Sequence, residues 1–131
     1  MPENAAVVKL TWAVMQDIRL LKNYYEQAGT EMLAPVFSDT LRRLEGRIVE
    51  VEGYVVPVDE EGRYVALSAT PYASCFFCGK GSPASVMTVN FSTPDTRFDV
   101  DDYHRFRGRL RLNYDQIDEF YYVLDNSELQ R

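Results

Sequence analysis

Two cysteines flank two phenylalanines in the run Cys75-Phe76-Phe77-Cys78, which Gly79 follows. A two-residue spacer lets both thiolates turn toward one ion, and the glycine lets the backbone fold beneath the sulfurs, as in a zinc knuckle. Lys80 and Gly81 keep the loop tight and slightly electropositive, which favours thiolate. Tetrahedral zinc takes four ligands, whereas the chain has two Cys and one His, His104. The pair is therefore half a site. Completion falls to His104, to a carboxylate such as Asp101 or Asp102, to water, or to a second subunit. Two readings compete with metal ligation. One is a metal-free thiol or disulfide pair, redox-active or structural, in a protein-interaction domain; the other is two buried cysteines packed with Phe76 and Phe77. A thioredoxin-type arrangement is disfavoured, because Gly79, Gly81 and Pro83 would interrupt the helix whose N-terminus stabilises that thiolate.

Arg105, Arg107, Arg109 and Arg111 recur at every second position, so on a strand they share one face while Phe106, Leu110 and Leu112 take the other. Such a stripe could bind anions or single-stranded nucleic acid, a use to which barrel faces are put. The alternative is cross-strand pairing with Glu50 and Glu52, worth about 0.2–1 kcal/mol per pair, and it is the reading favoured here. His104 has no nucleophile motif nearby and reads as a core or surface imidazole rather than a base. Asp99, Asp101 and Asp102 lack the spacing of a calcium loop. There is no phosphate-binding loop, dinucleotide fingerprint or hydrolase elbow, so no enzymatic activity is expected.

The elements that must position these residues are mostly strands. A chain of 131 residues fits one domain, and nine Tyr, seven Phe and one Trp supply core bulk. The net charge of −6 argues against a general nucleic-acid binder. No apolar run approaches the roughly 18 residues that cross a bilayer. Met1-Pro2-Glu3-Asn4 does not open a signal peptide, which leaves a cytoplasmic protein or an envelope protein whose signal has been removed.

Val14, Ile18, Leu21 and Tyr25 make a helical stripe that predicts a helix from near Thr11, although Leu20, Leu21, Tyr24 and Tyr25 also suit extended chain around Gly29. Ala34-Pro35 breaks the pattern. Ser38 caps a predicted helix over Asp39–Glu45, with Leu41 and Leu44 inward and Gly46 ending it. From Arg47 the period becomes two. Strands are predicted over Arg47–Val58, Arg63–Ala69, Ser85–Phe91, Phe106–Asn113 and Phe120–Leu124. Gly53 suggests a bulge or sharp bend in the first, and the acidic connection from Pro94 is predicted to hold a helical turn over Val100–Tyr103. Five short strands with a mid-strand glycine predict a small closed OB-like barrel over residues 47–125, with a helical or irregular extension over 1–46. A β-sandwich or an open α+β roll is the alternative.

Phe37, the Leu44-x-Gly46-Arg47-x-Val49 run, Gly53-Tyr54-Val55-Val56-Pro57, and Pro71-x-x-x-Cys75-Phe76-Phe77-Cys78-Gly79 together carry a resemblance. Over roughly Thr11 to Leu124 the chain resembles an uncharacterised family of small envelope proteins and lipoproteins of Gram-negative bacteria. Trp12 and Pro35-Val36-Phe37-Ser38 fit the same pattern. A related group sharing the Gly-Tyr-x-x-Pro strand sits beside metal-uptake transporters, which implies a zinc-linked envelope role and an envelope or metal-transport protein as partner. That group follows its cysteine with a His- and Pro-containing loop, where this chain has Phe76-Phe77-Cys78-Gly79.

Overall fold

The computed structural model describes residues 7–26, 29–71, 83–114, 116 and 119–130. Five strands close into the predicted barrel: β4 (Ile48–Pro57), β5 (Tyr64–Ser68), β6 (Val86–Phe91), β7 (Tyr103–Leu112) and β8 (Tyr122–Gln130). The order β4-β5-β6-β8-β7 returns to β4 through an antiparallel β4–β7 ladder, and β6 runs parallel to β8. This is OB-type connectivity. A short strand, β1 (Val8–Lys9), lies outside the ring, parallel to the start of β4.

Alternation puts Val49, Val51 and Val55 of β4, and Phe106, Leu110 and Leu112 of β7, into the core. Gly53 falls on the same inward face. A Cβ there would stand 2.6 Å from the Ser68 carbonyl oxygen, so only glycine lets β5 approach this closely. The expected bulge is absent at Gly53, since the β4–β7 register runs unbroken from Ile48 to Tyr54. The bulges fall instead at Arg107/Arg109 against β8 and at Val89/Phe91 against β8.

The N-terminal third differs from the prediction. Thr11 caps a helix, as expected, but α1 (Trp12–Met15) is a single turn. The chain then forms an antiparallel ribbon, β2 (Ile18–Tyr25) with β3 (Thr30–Phe37), around Gly29 at φ +68°. An i, i+4 stripe and an alternating strand share many positions over so short a run, and here cross-strand pairing prevails. Pro35 belongs to β3 rather than ending it. The second helix, α2 (Asp39–Leu44), forms as read: Ser38 accepts from the Leu41 N–H at 3.2 Å, and Leu41 is fully buried. β7 begins at Tyr103 and β8 extends to Gln130, beyond the predicted ends, and the helical turn expected over Val100–Tyr103 is a tight turn with Asp101 at φ +70°. Leu10, Met15, Phe37 and Leu41 join the barrel residues in one hydrophobic cluster. No helix among the described residues is long and apolar enough to cross a membrane.

Candidate functional site

Cys75 and Cys78 lie outside the described residues, but the stems that carry their connection are defined. β5 ends and β6 begins side by side, with Ser68 in register with Val86. The Ala69 N–H donates to the Ser85 carbonyl at 2.9 Å, and the Thr70 N–H donates to the Ser68 hydroxyl at 3.2 Å. Pro83–Ser85 form a 3₁₀ turn with Ala84 buried, and its carbonyl accepts from the Gln16 amide at 2.9 Å. Gln16 follows α1, which is fixed by the Tyr122 hydroxyl donating to the Met15 carbonyl and by the Trp12 indole N–H donating to the Glu52 carbonyl at 2.8 Å. The base of the cysteine connection is therefore closed and tied to the core.

His104 stands on β7 opposite Gly53. Its ring packs edge-on to Phe98 at 5.4 Å and lies 6.3 Å from Phe106. Phe91 stacks on Phe98 at 5.7 Å, so the imidazole belongs to an aromatic cluster with Phe91, Phe98 and Phe106. The acidic run beside it seats its own loop. Asp102 accepts from the Asp99 N–H at 2.9 Å, the Asp101 N–H donates to the Val55 carbonyl at 2.8 Å, and the Val55 N–H donates to the Asp102 carbonyl at 2.7 Å. Among the described residues, no three His, Asp or Glu side chains cluster as a metal site would require.

The arginine stripe is realised with the expected cross-strand partners. Arg107 lies in register with Glu50 and Arg105 with Glu52. Glu50 takes hydrogen bonds from Arg107 and stands 3.9 Å from Arg105. Arg109 donates to the Gly46 carbonyl. Arg111 is gripped by Glu119 at 3.0 Å and by Asp125 at 2.7 Å, and Asn90 donates to Asp125 at 3.0 Å. Hydrogen bonds that Arg111 donates to Asp125 and Glu119 push its guanidinium well above its ordinary value, against the opposing effect of burial. The Arg111 hydrogen bond holds the Glu119 carboxyl below its ordinary value, again against burial. For Asp125, burial pushes upward, but the bonds from Arg111 and Asn90 outweigh it and the net direction is downward. Sequence reasoning missed both acids. β8 reaches past Leu124 and brings Asp125 into register with Arg109, beside Arg111, a length that the polar Asp125-Asn126-Ser127 run conceals.

A closed five-stranded barrel of OB connectivity, with an N-terminal ribbon and a tied-down cysteine connection, is the class of protein that these elements define. The sequence matches no described protein family and no curated protein. Among solved structures, the crystal structure of a DUF3299 family protein from Pseudomonas aeruginosa PAO1 is similar, with a TM-score of 0.61 and 12% sequence identity. The match covers 96% of this chain and 97% of that one. The likeness is one of fold over nearly the whole of both chains, and the neighbour belongs to an uncharacterised family.

Proposed function

We propose that this chain is a non-enzymatic accessory domain of the cell envelope that holds a transition metal, zinc above others, between the thiolates of Cys75 and Cys78. The observation that carries the reading is the Cys-x-x-Cys-Gly spacing. Its support is mechanical: the connection bearing the cysteines leaves and rejoins the barrel at paired residues, Ser68 with Val86 and Ala69 with Ser85. Two thiolates with harder ligands suit zinc. The remaining ligands come from His104, a carboxylate, water or a second subunit. The envelope assignment and a metal-transport partner rest on the resemblance carried by Gly53-Tyr54-Val55-Val56-Pro57 and the cysteine loop.

The test is metal content. Protein purified without added zinc is expected to carry about one equivalent, and Cys75→Ser with Cys78→Ser to lose it. A competing chromophoric chelator then gives the affinity, which falls with pH as the thiolates protonate. Metal-free native protein, with an affinity for added zinc that the double substitution leaves unchanged, would refute the assignment. His104→Ala reports whether the imidazole is a ligand.

A further inference from the structure

The β2–β3 ribbon stands apart from the barrel sheet, and among the described residues each strand pairs only with the other. Two strands alone are marginal in water, and three or more are needed for independent stability. The outer edges of the ribbon differ. On β3, the Leu33 carbonyl accepts from the Tyr121 hydroxyl at 2.9 Å, and Pro35 has no N–H to give. That edge is stopped. In an antiparallel pair, opposed residues turn their backbone groups the same way, both into the ladder or both out of it. Lys22 and Leu20 are the register partners of Leu33 and Pro35, so they present their backbone groups on the outer edge of β2. Ile18, two residues earlier, agrees: its N–H donates to the Gln16 carbonyl at 2.9 Å and not across the ladder. No strand among the described residues lies along this edge, and Leu21 is 52% exposed beside it.

We propose that the edge of β2 pairs with β2 of a second copy of this chain, antiparallel about a two-fold axis at Leu21. The product is a sheet ordered β3-β2-β2-β3. The outward backbone groups fix the phase: Leu20 of each copy exchanges hydrogen bonds with Lys22 of the other, and Leu21 meets Leu21. Charge selects the register. Sliding two residues one way sets Lys22 directly on Lys22, and sliding the other way shortens the paired run, whereas this register centres the run on Arg19 to Asn23 and sets each lysine against a leucine. Pro35 and Tyr121 stop both outer edges of the enlarged sheet, so the assembly closes as a dimer instead of growing into a fibre. Pairing along one strand covers less than the about 1,600 Å² of a standard interface, so the dimer dissociates on dilution.

Sedimentation equilibrium of the full chain, from about 10 to 500 µM, reads this directly. The mass is expected to rise from the 15.1 kDa of one protomer toward twice that value. Leu21→Lys places two cations on the axis and keeps the protein monomeric throughout. Lys22→Pro removes an outward N–H without touching the β2–β3 ladder and does the same, with the fold verified by circular dichroism. Leu33→Lys alters exposed apolar surface on the other strand, where the side chain is 47% exposed, and leaves the rise unchanged. A native protein that stays at the protomer mass, a Leu21→Lys variant that still dimerises, or equal suppression by the two leucine substitutions would overturn the proposal.

Discussion

Replacing Gly53 with alanine puts a methyl group where β4 passes from β7 to β5. The new carbon would stand 2.6 Å from the Ser68 carbonyl oxygen, 3.2 Å from Leu67 Cγ and 3.3 Å from Trp12 Cζ2. The nearest of these is backbone, and Tyr54 holds that backbone in register with Ser68 immediately beyond the glycine. Relief therefore requires β5 to retreat by several tenths of an ångström inside a closed ring whose Leu67 and Ser68 have no exposed surface. Overpacking of this kind costs about 1–3 kcal/mol. Gly53 is not among the positive-φ residues, so alanine meets no backbone strain and recovers about 0.4–1 kcal/mol through the unfolded chain. The net expectation is a loss of about 1–2 kcal/mol. With a urea dependence of about 1–3 kcal/mol per molar, the unfolding midpoint falls by roughly 0.5–1 M at unchanged slope. Trp12, the chain's one tryptophan, packs against this site and reports the transition by fluorescence. A midpoint equal to or above that of the native protein would show that β5 does not press on β4 at this point.

Tyr122→Phe removes the hydroxyl that donates to the Met15 carbonyl, in a side chain with no exposed surface. Burial raises that hydroxyl's pKa, so it remains a donor at any working pH. Leaving the carbonyl unpaired costs about 1–3 kcal/mol, which calorimetry reads as a fall in Tm of roughly 4–11 °C; a change within about one degree contradicts the assignment. Acid tests the Arg111 cluster. The pKa values of Glu119 and Asp125 are held below their model-peptide values of 4.5 and 3.8, so their contribution is complete above that range and is lost as pH falls through it. The urea midpoint of the native protein is expected to drop more steeply between about pH 5 and pH 2.5 than that of Arg111→Met, and parallel profiles would refute the coupling.

The barrel was legible because its strands carry two signals at once, alternation and punctuation. Val49, Val51 and Val55 mark one face of β4, and the Asp59–Gly62 turn fixes its return. Even the pairing of Glu50 with the arginines followed from OB-type connectivity, which sets β4 beside β7. The ribbon was legible only as the alternative to a helix, extended chain around Gly29, because the contacts that favour it come from residues distant in sequence. Tyr121 takes the carbonyl of Leu33, and Ile18 packs against the core only once the barrel exists. Within the candidate site, the cysteine spacing could be read directly. The closed base beneath it could not, since it depends on Gln16 reaching Ala84 and on Ser68 meeting Val86.

The hydrogen bonds of β4 show why the N-terminal segment cannot be regarded as an appendage to the barrel. One edge of β4 is covered by β7 from Ile48 to Tyr54, while β5 takes the other edge only from Tyr54 to Pro57. That leaves the carbonyls of Glu50 and Glu52 directed at an edge with no barrel strand. The N-terminal segment supplies both donors: the Leu10 N–H reaches Glu50 at 2.8 Å, and the Trp12 indole reaches Glu52 at 2.8 Å. The same few residues also bury Leu10 and Met15 in the barrel's own cluster and lead, through Gln16, to the stem of the cysteine connection. A division of the chain near Gly46 follows the change in sequence period. The hydrogen bonding instead makes residues before that point part of the barrel wall and of the stem at Ala84 where β6 begins.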